Sequence, residues 1–419
     1  MRLSWTRMVW FAAALCGVVS VTGCRAAERA VDTIGEVFTA APERLGMADP
    51  LRGVWVTRWD YITADDVRTI MRDASQMGFT DVFWQVRGQA DAYYESRLEP
   101  WGQELFRDGN DDKTPPTEAE VRKGPGYDPL EVAVREAHRR GMRIHAWMNV
   151  MPLWKGKVEP VSASHPWRSH RSWRLKDDRG VEQPLSDEYV IANPVLEDVQ
   201  DHIVSVVRDI VSRYEVDGIH LDYIRFISES LEKDRWYPGD AVSRALFRQA
   251  KGLSADAKVD PAAMRAWVRD RISDLVHRIR EEAVNTREGV TLSAAVWRRP
   301  EMARDQQLQD AARWANLGWV DVLMPMLYTD NDAQFSGDLR AWEAAVHRRG
   351  AIAPGIGVYK HDSGRQTLGQ VKMHDDDKRF VLFAYSSLFH SRAPGSADTP
   401  QAESERLKRR VPLRTIMHD

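Results

Sequence analysis

Eight short apolar runs separated by helical patterns are the feature that most restricts the fold of this 419-residue chain. One helical pattern spans residues 64–77, where apolar side chains recur every three or four positions. The runs themselves lie at 53–57, 81–86, 143–148, 218–223, 291–297, 321–327, 351–358 and 380–385. Because strands that alternate with helices pair in parallel, the pattern predicts an α/β fold.

The number of strand–helix units favours a (β/α)8 TIM barrel over a doubly wound open sheet, which usually has fewer strands. The loops support this choice, since helix-to-strand turns are short and strand-to-helix loops are long, at 87–127, 149–191 and 225–261. In a barrel, those long loops all lie at the carboxyl-terminal face, where active sites are found.

Helix starts are marked by capping residues. Thr63 with Asp66 resembles a capping box, and Asp128 stands before a proline at the first helical turn. Asn193 before Pro194 repeats the second device, so we expect a helix to begin there.

The amino terminus reads as a lipoprotein signal peptide. Arg2 and Arg7 precede an apolar run at residues 8–19, and Val-Thr-Gly-Cys ends at Cys24. We predict a signal peptide at 1–24, lipidation of Cys24, a tether at 25–50 and the barrel at 51–419. The alternative is an uncut anchor helix. The prediction places the protein in the cell envelope, lipid-anchored on the periplasmic or outer-membrane face.

Composition excludes some classes of function. The chain has two cysteines, Cys16 and Cys24, so we expect no disulfide, thiol nucleophile or thiolate metal site in the folded part. The formal net charge of −3 gives no reason to expect nucleic acid as a partner. We expect a monomer.

Polar and aromatic residues gather at the predicted carboxyl-terminal strand ends. The fourth run, "VDGIHLDYIRF", is apolar until Asp222 and Arg225, which packing alone does not explain. Asp81, Asp217 and Asp321 precede their strands and are expected to serve stability. The candidate substrate-binding residues are Trp59, Gln85, Arg87, His145, Trp147, Asn149, His220, Arg225, Trp297 and Tyr328.

Several of the 16 tryptophans fall in or beside the long loops, and flat aromatic rings suit the apolar faces of sugars. The segments "LRGVWVTRWD", "TDVFWQVRGQADAYYES" with "EPW" behind it, "HAWMNV", "VDGIHLDYIRF", "VDVLMPMLY" and "FAYSSL" resemble the glycosyl hydrolase-like 10 family in order and spacing. The resemblance runs from about residue 51 to 387. It implies a barrel glycosidase without a metal or other cofactor, in an envelope lipoprotein that cuts peptidoglycan strands, notably strands without stem peptides.

Glycoside hydrolysis needs an ionised carboxylate beside the anomeric carbon and an acid for the leaving oxygen. The resemblance implies an aspartate where Asp222 stands, and we predict that Asp222 is the ionised group, with Arg225 or Arg87 lowering its pKa. Asp330 is the first choice for the acid, followed by Asp60 and Asp91. Many family members carry a second aspartate where this chain has Tyr223, so this chain departs from the family pattern at the position of that acid.

Three other interpretations stay open. Asp222 could form a purely structural pair with Arg225 or His220. His145, His220 and Asp222 could hold a metal, although their spacing is a weak signal. The basic stretch at 164–180, with its interleaved tryptophans, could bind nucleic acid, line a glycan groove or be a solvated loop.

The sequence therefore predicts a glycoside hydrolase that acts on cell-wall glycan. The alternatives are a barrel that binds peptidoglycan without cleaving it, and a hydrolase of another extracellular polysaccharide.

Overall fold

A computed structural model of the protein describes residues 50–107, 114–227, 231–374, 379–394 and 396–417. The predicted signal peptide, its Cys24 and residues 25–49 of the tether lie outside the described residues. The described residues all belong to one compact unit, Leu45–Asp419.

Eight parallel strands form the central sheet, and each corresponds to one of the predicted runs. The order across the sheet is β8-β7-β6-β3-β2-β1-β10-β9. The strands, with a separate hairpin formed by β4 and β5, are β1 (Leu51–Val56), β2 (Asp81–Arg87), β3 (Arg143–Asn149), β4 (Pro152–Lys155), β5 (Tyr189–Ile191), β6 (Gly218–Asp222), β7 (Thr291–Val296), β8 (Val322–Pro325), β9 (Gly355–Gly357) and β10 (Arg379–Phe383).

The sheet closes on itself. Parallel bridges join Leu323 of β8 to Ile352, and Met326 just beyond β8 to Gly355 of β9. A closed ring of eight parallel strands surrounded by helices is the predicted TIM barrel, and the prediction is confirmed.

The helices surround this barrel. None of those in the described ranges has both the length and the apolar character needed to cross a membrane. They are α1 (Ala64–Met77), α2 (Glu118–Lys123), α3 (Pro129–His138), α4 (Pro166–Ser169), α5 (Glu197–Arg213), α6 (Ala241–Ala250), α7 (Pro261–Arg278), α8 (Pro300–Gln306), α9 (Ala311–Asn316), α10 (Asp332–Ala345), α11 (Gly364–Val371), α12 (Tyr385–Leu388), α13 (Pro400–Arg410) and α14 (Arg414–Met417). Shorter 3-10 turns lie at Gln103–Phe106, Arg171–Trp173, Val284–Thr286, Val358–Lys360 and Val411–Leu413, and a π-helical turn follows α7 at Ile279–Ala283.

Local capping signals fix most of the helix starts. Helix α1 has the predicted bounds, with a complete capping box at Thr63 and a left-handed Gly78 at its end (φ 93°). Asp128 caps α3 as predicted. The expectation at Asn193 was wrong, because α5 begins at Glu197 and the Asn193 amide instead donates a hydrogen bond to Ser243 Oγ at 2.9 Å.

Large side chains fill the barrel interior. Trp55, Phe83, Trp147 and Met324 pack there with a few smaller residues. Complete burial of such side chains stabilises the fold by about 1.5–3 kcal/mol each. A barrel filled in this way is a packed core and not a pore, so a ligand can bind only at its ends.

The amino-terminal strand ends carry buried ion pairs. Asp81 accepts a hydrogen bond from Arg143 at 2.6 Å, and Asp321 accepts one from Arg280 at 2.5 Å. Asp217 accepts from the backbone N–H of Ile144 at 2.8 Å. The first and third contacts join neighbouring strands, and the second joins the start of β8 to the turn after α7. This agrees with the expected stabilising role of the three aspartates.

Candidate active site

Asp222 is the last residue of β6, and it lies at the carboxyl-terminal end of the barrel beside Asn149 of β3. Its side chain is almost buried, with 7% of the residue exposed. Within the described residues, both hydrogen bonds to this carboxylate end on Oδ1, from the Tyr223 backbone N–H at 2.6 Å and from Arg225 Nη1 at 3.4 Å.

Burial raises the pKa of Asp222 above its ordinary value. Arg225, the Tyr223 N–H and the indole N–H of Trp147 each lower the pKa, but together they do not offset the desolvation. The Trp147 N–H faces the carboxylate without a hydrogen bond of ordinary geometry. The net direction is therefore opposite to the one expected from the sequence, because a single long ion pair compensates only part of the burial.

Several aromatic side chains surround this carboxylate and its arginine partner. The Arg225 guanidinium lies over the Tyr223 ring at 4.1 Å and 5.2 Å from the Trp297 ring. Burial and the charge of Asp222 raise the pKa of Tyr328, whose ring stacks on Phe383 at 5.3 Å. The rings of Tyr223, Trp297 and Tyr328 are all partly exposed, so they can offer platforms to a sugar.

Tyr223 has a left-handed backbone conformation, with φ at 50°. Its ring packs edge-on against Tyr189 of β5 at 5.1 Å. The Tyr189 hydroxyl in turn accepts a hydrogen bond from Arg58 Nη2 at 3.2 Å. The hairpin thus connects the loop after β1 to the residue that follows Asp222.

Arg87 does not face the site. Its Nε and Nη2 bind the Glu99 carboxylate at 2.8–3.0 Å, and its Nη1 donates to the backbone carbonyls of Asn149 and Val150. The pair is completely enclosed, and His202 adds a further contact to Glu99 at 2.9 Å. We therefore correct the assignment of Arg87 from substrate binding to the structural attachment of the loops after β2 and β3.

His145 and His220 lie deeper in the barrel than Asp222. His145 Nε2 contacts Asp81 Oδ1 at 2.9 Å near the amino-terminal end, and its ring stacks on Phe83. His220 Nε2 accepts from Trp55 Nε1 at 3.0 Å, which leaves its Nδ1–H to donate to Ser293 Oγ at 2.9 Å. Both histidines are core residues, and their assignment to substrate binding is corrected accordingly.

A metal site is not supported by these contacts. His220 Nε2 uses its lone pair to accept from Trp55 and Nδ1 carries the proton, so the ring has no lone pair free for a cation. Across the described ranges, no group of three or more histidine, cysteine or acidic side chains is arranged to hold a metal ion.

Gln85, Asn149 and Trp59 lie at the carboxyl-terminal end, as predicted. Gln85 Oε1 accepts from the Arg58 backbone N–H at 2.9 Å. Asn149 Nδ2 donates to the Gly88 carbonyl at 3.0 Å, while its buried Oδ1 has no partner among the described residues. Trp59 has guanidinium groups of Arg58 and Arg107 over its ring, both at 4.8 Å. Their roles in substrate binding stay predictions.

The three candidate acids have different surroundings. Asp330 is exposed in the loop between β8 and α10. Asp60 accepts two hydrogen bonds from Thr57, and burial raises its pKa to about 6. Asp91 is 1% exposed, and burial together with the charge of Glu104 raises its pKa to about 7. Asp91 Oδ2 has no partner within the described part of the chain.

A buried polar cluster beside the site was not predicted as a unit. Glu104 accepts from Arg58 Nε at 3.1 Å and from the Tyr93 hydroxyl. Asp91 is close enough to both charges for them to change its pKa. One signal in the sequence pointed to this cluster, namely the run of polar and aromatic residues after β2. Glu104, however, is distant in sequence from any strand end, and Tyr189 lies on the unpredicted hairpin.

The basic stretch at 164–180 forms an anchored loop. Trp167 and Trp173 are buried, and Arg174 lies 3.5 Å above the Trp167 ring while donating to the Trp167 carbonyl. Asp177 is buried and binds Arg179 and Arg235. Arg174 and Arg179 therefore have internal partners, which favours the interpretation as a loop anchored by its two tryptophans.

Comparison with known proteins points to one family. The model of the family described as glycosyl hydrolase-like 10 matches residues 50–359. Glycosyl hydrolase DigH from Escherichia coli K12 is 27% identical over 362 residues, which cover 75% of this chain and 74% of the relative. Glycosyl hydrolase YngK from Bacillus subtilis is 24% identical over 280 residues, covering 62% and 48%.

Solved structures support the fold. The glycoside hydrolase domain of PgaB (BpsB) from Bordetella bronchiseptica has a TM-score of 0.55 at 13% identity, covering 85% of this chain and 97% of that chain. The catalytic domain of β-amylase from Paenibacillus polymyxa has a TM-score of 0.54 at 10% identity, covering 87% and 98%. At these identities the likeness concerns the barrel alone.

Proposed function

The chain belongs to the glycosyl hydrolase-like 10 family, and on this premise we propose that it hydrolyses the glycan strands of bacterial peptidoglycan, acting on strands that have lost their stem peptides. The family and the TIM-barrel fold support glycosidase activity. The observation that carries the proposal is Asp222, a carboxylate at the end of β6 surrounded by partly exposed aromatic rings. The choice of substrate is supported by the family resemblance and by the lipobox at Cys24.

In the proposed reaction, Asp222 acts at the anomeric carbon. Its carboxylate stabilises the positive charge that develops there, either by its charge or by a transient bond. An acid gives its proton to the leaving oxygen as the glycosidic C–O bond breaks. The hydroxyl of a water molecule then joins the anomeric carbon, and the remaining water proton restores the acid.

Asp330 is our first candidate for the acid, and Asp91 is the alternative. Asp330 is exposed and therefore accessible to a large substrate. Asp91 is buried under the backbone N–H groups of Gly88 and Gln89, which donate to its Oδ1 at 3.2 Å and 2.9 Å. A pKa of about 7 suits a proton donor, but its enclosure favours proton sharing within the Arg58–Glu104 cluster.

We further propose that Cys24 carries a lipid anchor that holds the enzyme in the cell envelope. We also propose that the enzyme acts as a monomer. Loss of stem peptides would expose the lactyl carboxylates of the muramic acid residues. The substrate would then be a polyanion that also presents apolar sugar faces, which suits a site of cationic and aromatic side chains.

The test is mass spectrometry of the products released from intact and from amidase-treated peptidoglycan by the full chain. We expect soluble oligosaccharides from the amidase-treated substrate, and we expect Asp222→Asn to reduce their release about 100-fold or more. The matched control is Asp187→Asn, which removes an exposed carboxylate from a loop at the same end of the barrel.

Other outcomes would support the alternatives. Tyr223, in place of the second aspartate of many relatives, is the observation that favours a binding protein without activity. Sedimentation with peptidoglycan and no released product from either substrate would favour that alternative. Cleavage restricted to a different polysaccharide would keep the hydrolase but reject the substrate.

A further inference from the structure

Arg225 has few partners for a buried guanidinium. It is 4% exposed, yet its one hydrogen bond among the described residues is the 3.4 Å contact from Nη1 to Asp222. Its Nε is buried and has no partner in that part of the chain. An arginine has five N–H donors, and buried donors are almost always paired. Arg225 therefore retains unused hydrogen-bonding capacity beside the candidate reaction centre.

Two other arginines of the same barrel end show how such groups are usually satisfied. Arg87 uses Nε, Nη1 and Nη2 in contacts with Glu99 and two backbone carbonyls. Arg58 binds Glu104 through Nε and Tyr189 through Nη2. Arg225 has no comparable protein partner in the described ranges, so a structural role alone leaves its donors unexplained.

The neighbours of Arg225 favour hydrogen bonds from its guanidinium to an acceptor on a bound ligand. Tyr223 and Trp297 are partly exposed and flank the guanidinium. The Trp297 indole N–H is likewise buried and without a partner among the described residues. Aromatic neighbours reduce hydration of the cation without neutralising it, which strengthens its attraction for an anion.

We propose that Arg225 binds the carboxylate of an acidic sugar next to the cleaved bond, and so determines that the substrate is a carboxylate-bearing glycan. A guanidinium matches a carboxylate through two parallel N–H···O bonds. In this proposal, the Trp297 N–H, which has no partner among the described residues, adds a third donor. This inference rests on the proposed function, since it names the feature of the glycan that the same site recognises.

The test compares three glycans in calorimetric binding experiments with the full chain. The first is peptidoglycan strands without stem peptides. The second is the same strands after chemical reduction of their carboxylates to alcohols. The third is a chitin oligosaccharide, which carries N-acetyl groups and no carboxylate. Binding is measured for the wild type, Arg225→Gln and Arg225→Lys, and hydrolysis of each glycan is followed in parallel.

We expect Arg225→Gln to weaken binding of the native strands about 10- to 100-fold and to leave binding of the reduced strands unchanged. Arg225→Lys keeps the charge but lacks the paired N–H donors of the guanidinium, so its affinity for the native strands should lie between those of the wild type and Arg225→Gln. The matched control is Arg298→Gln, which removes a half-exposed cation from the loop after β7. It should change none of the three affinities.

Several results would overturn the proposal. Equal losses on native and reduced strands would mean that Arg225 acts through Asp222. A loss on the chitin oligosaccharide as large as that on native strands would assign the contact to an N-acetyl carbonyl. Binding that discriminates the carboxylate without any hydrolysis would keep this inference and reject the proposed activity. Should Arg225→Gln fail to fold in a thermal melt, the Arg225→Lys series decides.

Discussion

The protonation of Asp222 depends on two opposing contributions from its surroundings. Burial raises its pKa, whereas Arg225, the Tyr223 N–H and Trp147 lower it. Because Arg225 is the largest of the lowering contributions, the charge of one side chain controls the ionisation of its neighbour. A substrate anion bound to Arg225 would weaken that effect and raise the pKa of Asp222 further.

The first prediction concerns the acidic limb of the pH profile. If ionised Asp222 is required, kcat/KM should fall with decreasing pH at a value above about 3.9, the ordinary pKa of aspartate. Arg225→Gln should move this limb to higher pH, since it removes a cation that stabilises the carboxylate. The measurement is kcat/KM on carboxyl-reduced strands between pH 3 and pH 8. A limb that does not move would show that Arg225 does not control Asp222.

The second prediction separates the candidate acids. Asp330→Asn should lower kcat on the natural glycan about 100-fold or more, because proton donation to the leaving oxygen is lost. It should have a much smaller effect on an aryl glycoside, whose leaving group needs no proton. Asp91→Asn is the comparison, and we expect it to change thermal stability more than kcat. The reverse pattern would transfer the role of acid to Asp91.

At the residue scale, the sequence predicted on which face of a strand a side chain lies, but not how deep in the barrel it lies. Residues two apart on a strand share a face, so His220 and Asp222 point in the same direction. They lie about 6.6 Å apart along the barrel axis, which is enough to put one in the packed core and the other at its mouth. His145 was misassigned for the same reason.

Among the structural elements, the loop after β2 is held by the Arg87–Glu99–His202 cluster. Burial alone would raise the pKa of Glu99, but the charge of Arg87 and the contact with His202 lower it from 4.5 to about 2. A carboxylate with a depressed pKa in the folded state stabilises the fold above its unfolded pKa, and the contribution is lost as pH falls toward the folded value.

The third prediction follows from this cluster. Between about pH 4.5 and pH 2, the wild type should lose about 3 kcal/mol of unfolding free energy through Glu99. Glu99→Gln should be less stable at pH 7 by about 3–5 kcal/mol, since it leaves Arg87 buried without a counter-ion. Its stability should then depend less on pH in the acidic range. Denaturant unfolding at pH 3 and pH 7 measures both effects, and parallel acid losses in the two proteins would contradict the prediction.

Elements with local signals were predicted closely, whereas those that depend on distant pairing were not. The bounds of α1 follow from the apolar period, the cap at Thr63 and the left-handed Gly78. In the hairpin of β4 and β5, Pro152 pairs with Ile191. Both strands are short, and the sequence near neither of them contains a turn signal that predicts this pairing. Tyr189 was missed as a site neighbour because its position depends on that pairing.

At the scale of the whole molecule, the two ends of the barrel have different tasks. The buried ion pair of Asp321 with Arg280 attaches the start of β8 to the turn after α7, and the candidate site occupies the carboxyl-terminal strand ends. The sequence predicted this division because parallel strands put all their carboxyl ends on one side. The side-chain pairings within each end had to come from the structure.

The fourth prediction concerns attachment to the membrane. If Cys24 carries the lipid, Cys24→Ser should move the protein from the membrane fraction to the soluble fraction of the envelope. Hydrolysis of isolated strands should be unchanged, because the barrel residues are the same. Cell fractionation followed by immunoblotting is the measurement, with a known envelope lipoprotein as the marker. Retention of the variant in membranes would favour the uncut anchor helix.

The left-handed backbone of Tyr223 suggests how relatives could exchange one chemistry for another. Aspartate and asparagine tolerate this conformation better than tyrosine does. A second aspartate here, which the family resemblance implies for many members, would therefore fit the local backbone whether or not it takes part in a reaction, whereas tyrosine needs support from its neighbours. Here the edge-on contact with the Tyr189 ring and the cation of Arg225 hold the tyrosine ring in place. A change from aspartate to tyrosine after Asp222 would thus need these neighbours in place first, whereas the reverse change would not.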